Sequence, residues 1–302
     1  MTLNGQIFKD SNNNEIHAHG GWILQFGGEY FWYGEDRRGN NYVSCYKSRD
    51  LKRWEFCSHS LTIDSPCVTE QLTICGKKVN IERPKVIYNE KTKTFVMWAH
   101  YENGTDYLVA ACAVAVSSSP NGEFTYLGHF RPCGNMSRDC TLFVDDDKTA
   151  YFLSASNDNL DMVTYKLSDD YLRIEKIVNK SFIGLEREAP AVFKHNGKYY
   201  MISSFCTGWK PNQCKYAVSD RIDGEWSELK NIGDETTYHS QPAFVFPYKG
   251  KFLYFGDRWG GDGWKTKAEF NYFRSGYLVL ELRFENKELN LIWSDIPLTM
   301  MD

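Results

Sequence analysis

The sequence predicts an all-β protein with the fold of a five-bladed β-propeller, in which each blade is a four-stranded antiparallel sheet. Two repeating patterns support this prediction. An apolar strand, a short polar turn that usually carries glycine, and a second strand rich in aromatic residues occur together five times. Another strand, polar turn and strand follow each occurrence, so that one repeat supplies the four strands of one blade.

The five leading hairpins are recognised by their residue types. Each is enriched in β-branched and aromatic residues on both sides of a turn, which is typical of antiparallel strand pairs. They cover residues 21–35, 84–100, 140–156, 190–204 and 242–258. The second patterns cover residues 43–56, 114–127, 163–174, 216–226 and 276–293.

The spacing of these repeats favours a propeller over a β-sandwich. Aligned on the second strands at Tyr30, Phe95, Ala150, Tyr199 and Phe252, the repeats are 65, 55, 49 and 53 residues apart. Common blade repeats are about 40–50 residues long, whereas the strands of a sandwich would not recur in five matched pairs. We therefore expect residues 1–302 to form a single propeller domain.

Composition excludes several classes of function. A net charge of -4 without any block of basic residues gives no reason to expect nucleic acid as a partner. The longest apolar runs, such as residues 108–116, are far shorter than the roughly 20 residues of a membrane span.

The polar N-terminus lacks the apolar stretch of a secretory signal, so we expect a cytoplasmic protein, or one secreted after its signal peptide is removed. The nine scattered cysteines form no C-x-x-C pair, which argues against a disulfide framework or a zinc site. The oligomeric state stays open.

Acidic side chains recur where the first strand of a blade begins, a position that we call the blade start. The innermost strand of each blade lines the central channel of a propeller, so polar residues at the blade starts should converge. Clustered carboxylates repel one another unless a proton or ligand exploits them, and glycoside hydrolysis uses such a pair. Taken singly, an acid before proline is also a common turn former. The blade starts carry His17 and His19, then Glu82, Asp139, Glu188 and Gln241, and the first hairpin ends on Glu35.

The motifs at these positions resemble glycoside hydrolase family 43, specifically its exo-β-1,3-galactanase branch (subfamily 24 and near relatives). The resemblance covers essentially the whole chain, and it implies a five-bladed propeller fold and hydrolysis with inversion of the anomeric centre. Because the five blades use all 302 residues, we expect no attached carbohydrate-binding module. The activity that the resemblance implies is exo-acting release of galactose from β-1,3-galactan or β-1,3-galacto-oligosaccharides. The motifs are AHGG at 18–21, FWYGE at 31–35, ERPK at 82–85, SRD at 137–139, EAP at 188–190, TGW at 207–209 and SQP at 240–242.

The resemblance also implies roles for the catalytic residues. Glu188 matches the general acid, and Asp139 matches the acid that holds it in place and raises its pKa. Most of the family has an aspartate base at the first blade start, where this sequence has none. In the galactanase branch a glutamine takes that task, and Gln241 is its match. Since a neutral amide accepts no proton in its usual form, Gln241 would position water or act as the imidic tautomer, with Glu82 assisting. Glu82 as the base itself is the alternative.

The same residue-by-residue match implies a set of sugar contacts. Asn157 stands where the branch usually has an acid. Trp209 would stack on a sugar face. Apart from the match, Trp259 and Trp264 lie in a Gly-rich loop beyond the fifth hairpin, where they would rim the pocket. A hydrogen bond from His19 to substrate or to a neighbouring acid is favoured over a zinc site, because no third ligand is evident. The expected substrate-binding residues are Glu35, His19, Tyr107, Asn157, Thr207 and Trp209.

The sequence also leads to expectations about cofactors and about alternative functions. No cofactor is required, although the resemblance allows a structural calcium ion near the propeller axis, beside His239. The nearest alternative activity is that of a family 43 arabinofuranosidase or xylosidase, against which the missing aspartate speaks. A non-catalytic sugar-binding propeller is the alternative from another class.

Overall fold

The computed structural model describes residues 2–74, 76–261 and 269–301, and it confirms the five-bladed propeller. Blade 1 contains β1 (His19–Phe26), β2 (Glu29–Glu35), β3 (Asn41–Ser48) and β4 (Glu55–Thr62). Blade 2 contains β7 (Asn80–Asn89), β8 (Thr94–Glu102), β9 (Ala111–Ser117) and β10 (Thr125–Phe130). Blade 3 contains β11 (Cys140–Val144), β12 (Ala150–Ser156), β13 (Asp161–Leu167) and β14 (Ile174–Ser181). Blade 4 contains β15 (Arg187–His195), β16 (Lys198–Phe205), β17 (Lys215–Ser219) and β18 (Lys230–Asn231). Blade 5 contains β19 (Gln241–Tyr248), β20 (Lys251–Arg258), β21 (Gly276–Glu285) and β22 (Glu288–Ile292).

Short elements connect the blades. A two-stranded sheet of β5 (Thr73–Ile74) and β6 (Lys77–Lys78) lies in the long first spacing of the repeat. Three 3-10 helices are described, at Pro132–Gly134, Tyr272–Arg274 and Leu298–Met300. None of the helices in the described part of the chain is long and apolar enough to cross a membrane.

The turns of the leading hairpins have the chemistry that tight antiparallel connections require. Gly27 and Gly28 join β1 to β2 with φ of 60° and 83°, and Phe26 pairs directly with Glu29. Two successive residues with positive φ match the right-handed twist of the flanking strands. Asn196-Gly197 and Lys249-Gly250 form the corresponding turns in blades 4 and 5.

The propeller closes by packing of its first and last blades. The innermost strands β1, β7, β11, β15 and β19 contact their neighbours around a complete ring. Trp32 of blade 1 packs edge-on against Tyr277 of blade 5, with ring centroids 4.9 Å apart. The Asn4 side chain accepts a 2.7 Å hydrogen bond from the Val279 amide. These contacts fix the blade starts relative to one another.

In blades 1, 2 and 4 a β-bulge follows the blade start and turns the side chain of the blade-start residue toward the axis. The bulges come directly after His19, Glu82 and Glu188, and the next residues, Gly20, Arg83 and Ala189, have φ of 55°, 51° and 53°. Glycine is needed at the first of these, because a Cβ on Gly20 would lie 2.7 Å from Oε1 of Glu35. Bulges re-aim side chains beside active sites, and left-handed backbone at a non-glycine residue is a strain that often accompanies function.

Candidate active site

The blade starts surround a cavity of about 270 Å³ at one mouth of the central channel. This volume is near the lower end of small-molecule sites, which begin at about 300 Å³. Eight of the residues named from the sequence line it: Glu35, Glu82, Tyr107, Asp139, Glu188, Trp209, Gln241 and Trp259. Seven further residues complete the lining, namely Arg37, Arg83, His100, Arg138, Asn159, Cys206 and Gly208.

Glu188 is a buried carboxyl group at the start of β15. Gln241 Nε2 donates a 2.9 Å hydrogen bond to its Oε1, and Asn159 Nδ2 donates a 3.3 Å bond to its Oε2. Burial, together with the negative charge of Asp139, raises the pKa of Glu188 to about 8. Burial disfavours the ionised form of a carboxyl group, and a nearby like charge adds to that effect. Glu188 therefore keeps its proton at neutral pH.

Gln241 is held by four hydrogen bonds that fix the orientation of its amide. Its Oε1 accepts bonds from Arg83 Nη2 at 2.5 Å and from Trp259 Nε1 at 2.8 Å. Its Nε2 donates to Glu188 and, at 3.0 Å, to Ser204 Oγ. Because guanidinium and indole nitrogens only donate, the atom that faces them must be the carbonyl oxygen. The amide flip is thus determined by its surroundings.

Asp139 connects the acid to a buried arginine. Its Oδ2 lies 2.8 Å from Nε of Arg83 and accepts a 3.1 Å hydrogen bond from the backbone amide of Ala189. Ala189 directly follows Glu188 and is the strained bulge residue. Asp139 therefore stabilises the backbone that carries Glu188 and raises the pKa of its carboxyl group.

Glu82 is an ionised carboxylate that also lines the cavity. It accepts a 2.7 Å bond from Arg37 Nη2 and a 2.9 Å bond from the Tyr107 hydroxyl, and His100 Nδ1 lies 3.3 Å away. Burial alone would raise the pKa of Glu82, but the His100 hydrogen bond and the Arg37 charge lower it to about 2. Burial alone would lower the pKa of His100, but Glu102 and Glu82 raise it to about 9. Glu82 and Glu188 thus carry different charges at neutral pH.

Glu35 and the aromatic side chains form the remaining wall. Arg37 Nη2 lies 3.2 Å from Glu35, and burial raises the pKa of that carboxyl group, with the Arg37 charge opposing the shift. The Trp209 ring stacks on Phe270 at 5.0 Å and packs edge-on against Trp259 at 5.1 Å. Trp209 thereby joins an aromatic cluster that borders the cavity.

Three of the predicted sugar contacts lie away from the cavity lining. His19 is 1% exposed behind the wall, where Nδ1 lies 2.9 Å from Asp257 Oδ1 and the ring stacks on Tyr277. Asn157 is exposed and donates to Asp161. The Thr207 hydroxyl is used inside its own loop, where it donates to the carbonyl of Lys210 at 2.6 Å. Trp264 falls outside the residues that the structure describes.

Asn159 takes the place that the sequence assigned to Asn157. Residues Asn157, Asp158 and Asn159 all have left-handed backbone, with φ of 51°, 55° and 66°. This turn directs the third side chain, rather than the first, toward Glu188 and Cys206, whose Sγ accepts a 3.2 Å bond from Asn159 Nδ2. Nothing in the local sequence distinguishes the two asparagines.

Other lining residues could have been found from the repeat itself. His100 ends the second hairpin and pairs with Glu82, just as Glu35 ends the first hairpin and pairs with His19. Arg83 stands inside the ERPK motif directly after Glu82. The ends of the second strands therefore carry site residues in both blades.

The cationic side chains of the site leave little room for a metal. Among the described residues, Glu82, His100 and Asp139 form one group whose potential ligand atoms lie within 4.8 Å of one another. Arg37 and Arg83 already pair with these two carboxylates, and His100 is protonated. Calcium takes six to eight oxygen ligands, so this group does not fit it.

Lys85 carries a buried amino group next to the axis. It is 0% exposed, and its Nζ donates hydrogen bonds to the carbonyls of Gly20 at 2.5 Å and Gly21 at 3.0 Å. Burial and the charge of Arg83 lower the pKa of Lys85 to about 7. Since an amine already holds two carbonyl oxygens of the first blade start, these do not supply free ligands for calcium.

The mouth of the propeller combines a carboxyl group that keeps its proton, an ionised carboxylate and an aromatic wall. These groups are typical of proteins that cleave carbohydrates. Comparison with family models gives the same class. The chain belongs to the glycosyl hydrolases family 43, whose model matches residues 17–243. The family resemblance inferred from the motifs is confirmed.

Several solved structures are similar to this chain in both sequence and fold. The exo-β-1,3-galactanase 1,3Gal43A from Clostridium thermocellum is 45% identical with a TM-score of 0.90, over 97% of this chain and 65% of that chain. The exo-β-1,3-galactanase Pc1,3Gal43A from Phanerochaete chrysosporium, solved with galactose, is 34% identical with a TM-score of 0.87, over 97% and 67%. The β-1,3-galactosidase BT3683, a Bacteroides protein solved with galactodeoxynojirimycin, is 33% identical with a TM-score of 0.87, over 97% and 99%. The comparison with curated proteins returned no match.

Proposed function

We propose that this protein is an exo-acting, inverting glycoside hydrolase that releases galactose from β-1,3-galactan or β-1,3-galacto-oligosaccharides. The observation that carries the proposal is the protonated Glu188, buried in a small cavity beside Gln241 at 2.9 Å. A cavity of about 270 Å³ suits the end of a sugar chain rather than a longer stretch of polymer. Similarity to two exo-β-1,3-galactanases and a β-1,3-galactosidase supports galactose as the terminal sugar.

Glu188 is the proposed general acid. Its raised pKa means that the proton needed by the leaving oxygen is present at neutral pH. Asp139 acts as a positioning residue, because it holds the amide of Ala189 and contributes the negative charge that keeps Glu188 protonated. Asn159 and Gln241 each donate to one oxygen of the Glu188 carboxyl group, so its orientation is set from two sides.

On the water side of the reaction, we propose that Gln241 orients the nucleophile as a neutral amide, with the water replacing one of the four protein partners of that amide when substrate is bound, and that Glu82 supplies negative charge. Both acceptor positions of Gln241 Oε1 face N–H donors, from Arg83 and Trp259. A proton on that oxygen would oppose these donors, so their geometry disfavours the imidic tautomer. Glu82, with its pKa lowered to about 2, is ionised and can stabilise the positive charge that develops on the sugar ring.

Sugar binding is proposed to use aromatic and polar groups of the cavity lining. Trp209 offers apolar ring area to the C–H face of a sugar. The carboxyl groups of Glu35 and Glu82 and the Tyr107 hydroxyl supply polar groups. The paired charges of Arg37 with both glutamates hold these acceptors in place.

The activity is tested by incubating the protein with β-1,3-galactobiose and p-nitrophenyl galactoside and following galactose release. Proton NMR of the first-formed anomer distinguishes inversion from retention: early α-galactose from a β-linked substrate supports the proposal, and early β-galactose contradicts it. Binding of galactose without turnover would instead identify a sugar-binding propeller. Release of arabinose or xylose from the matching glycosides, without release of galactose, would identify one of the other family 43 activities.

The division of roles between Gln241 and Glu82 is tested with two isosteric variants. Gln241→Glu removes the amide that donates to Glu188 and adds a second carboxyl group next to it, so we expect at least about a hundredfold loss of kcat. Glu82→Gln keeps the shape but removes the charge and should lower kcat to a similar extent. An unchanged rate in Gln241→Glu would refute a special role for the neutral amide. Rescue of Glu82→Gln by azide, with formation of a galactosyl azide, would show that Glu82 is the base.

A further inference from the structure

Two cysteines of blade 1 meet across neighbouring strands, away from the proposed active site. Cys45 lies on β3 and Cys57 on β4, the outermost strand of the blade. Cys45 pairs with Ser58, whereas the next residue, Tyr46, pairs with Phe56. Cys57 is therefore the extra residue of a β-bulge placed opposite Cys45.

Both side chains pack in the cluster between blades 1 and 2, and each thiol affects the pKa of the other. Two residues of a bulged strand lie opposite one residue of the partner strand, so Cys57 shares the position opposite Cys45 with Ser58. Directly opposed Cα atoms lie about 4.5–5.5 Å apart, and because a disulfide spans about 4.4–6.8 Å between Cα atoms, we expect this bulge to place the two cysteines within bridging range.

The two thiols differ in access to solvent. Cys45 is fully buried, whereas Cys57 is half-buried on the edge strand. The neighbouring Cys45 thiol lowers the pKa of the Cys57 thiol, with the nearby charge of Lys47 adding to the effect, and burial raises the pKa of the Cys45 thiol. Since a thiolate is the attacking species in thiol–disulfide exchange, Cys57 has the access and the chemistry of the first nucleophile.

We propose that Cys45 and Cys57 form a redox pair, which a low-molecular-weight disulfide such as oxidised glutathione converts into a cross-strand disulfide. The Cys57 thiolate attacks one sulfur of oxidised glutathione, a mixed disulfide forms, and one glutathione thiolate leaves. The Cys45 sulfur then attacks Cys57 Sγ, the protein disulfide forms, and the second glutathione leaves. Both protein thiols are oxidised, one molecule of oxidised glutathione is reduced to two of glutathione, and the two thiol protons are transferred to them.

The bridge would fasten the edge of blade 1 rather than alter the cavity. It joins β4 to β3, whereas the cavity residue of this blade, Glu35, lies at the end of β2. Closing the short loop between the two cysteines restricts the unfolded chain. Oxidation should therefore raise the melting temperature without changing the hydrolytic rate.

The test is to incubate the intact protein with oxidised glutathione, cap the remaining thiols with iodoacetamide under denaturing conditions, and map the peptides by mass spectrometry. We expect Cys45 and Cys57 to escape alkylation, a peptide linked through Cys45 and Cys57, and a melting temperature higher by about 2–8 °C. Dithiothreitol should reverse both changes. A stable glutathione adduct on Cys57 of the wild type, or full alkylation of both thiols, would overturn the proposal.

Single variants separate the two steps. Cys45→Ser should stop at the mixed disulfide, so that glutathione stays attached to Cys57, and Cys45→Ala repeats the test if the serine disturbs the core. Cys57→Ser should leave Cys45 reduced, because the buried thiol has no access to the oxidant. Cys133→Ser, which changes an exposed cysteine elsewhere, should form the disulfide like the wild type. A Cys57→Ser protein whose Cys45 was oxidised as fast as in the wild type would contradict the assigned order of attack.

Discussion

Gln241 Nε2 donates a 2.9 Å hydrogen bond to Oε1 of Glu188, and this bond connects the starts of blades 5 and 4. The direction of the bond is determined by Arg83 and Trp259, which donate to the other end of the same amide. An amide thus held orients the carboxyl group of Glu188 without adding a charge to it. A carboxylate in the position of Gln241 would repel the ionised Glu188 that remains after the proton has been transferred.

The proposed acid predicts a loss of turnover that depends on the leaving group. Glu188→Gln should lower kcat on β-1,3-galactobiose by about 10²–10⁴-fold, because the leaving oxygen no longer receives a proton. The loss should be much smaller with 2,4-dinitrophenyl galactoside, whose leaving group needs no protonation. The measurement is steady-state kinetics on both substrates.

The matched control for this variant is Glu186→Gln, which removes a carboxyl group two residues earlier that does not line the cavity. Its rates should stay close to those of the wild type on both substrates. Equal losses on both substrates in Glu188→Gln would contradict the role of a general acid.

The pKa of Glu188 predicts the alkaline limb of the pH profile. Because activity requires the protonated form, kcat/KM should fall as the pH rises through about 8. Asp139→Asn removes the negative charge that helps to raise this pKa and leaves the positive charge of Arg83 uncompensated. The alkaline limb should therefore move to lower pH, by about 1 unit.

The control for the pH shift is Asp158→Asn, since Asp158 is an exposed acid that pairs with Arg138. Its alkaline limb should coincide with that of the wild type. If the limb of Asp139→Asn stayed in place while its kcat fell, Asp139 would act only through the backbone of Ala189.

We predict that changes at Trp209 affect substrate binding, measured by KM, more than the chemical step, measured by kcat. Trp209→Ala removes the ring proposed to contact the sugar and should raise KM about tenfold, with a smaller change in kcat. Trp209→Phe keeps part of the apolar area and should lie between the alanine variant and the wild type. Loss of kcat at unchanged KM would show that the ring supports the catalytic residues instead.

We predict that Lys85 makes a pH-dependent contribution to the stability of the folded protein. Its pKa is lowered to about 7 in the folded protein, whereas the ordinary value is 10.5, so between these values the unfolded chain binds more protons. Stability contributed by Lys85 therefore increases as the pH rises above 7 and is reduced below it. A neutral amine still donates to the carbonyls of Gly20 and Gly21.

This contribution is measured by comparing melting temperatures of the wild type and Lys85→Met from pH 6 to pH 9. The methionine variant should be less stable at pH 9, because two buried carbonyls lose their donor. The difference should become smaller toward pH 6, where the wild type must charge the buried amine. A difference that was constant over this range would contradict the lowered pKa.

The sequence alone determined the fold, because its information is local and repeated. Alternation of apolar residues, glycine turns such as Gly27-Gly28 and five matched strand pairs specify hairpins and their number. Once the repeat is known, propeller geometry places Glu82, Asp139, Glu188 and Gln241 at one mouth of the channel. The structure brings all four to the same cavity.

The tertiary structure decided which group carries the proton and which side chains support it. Glu82 and Glu188 are both glutamates at blade starts, but Arg37 and His100 surround one, while Asp139 faces the other. The direction of a pKa shift depends on burial and on charges contributed by several blades, so no single segment of sequence contains it. The choice of Asn159 over Asn157 likewise depends on three successive left-handed residues. Sequence patterns specify where a strand begins; the environment of each side chain arises only when the five blades pack together.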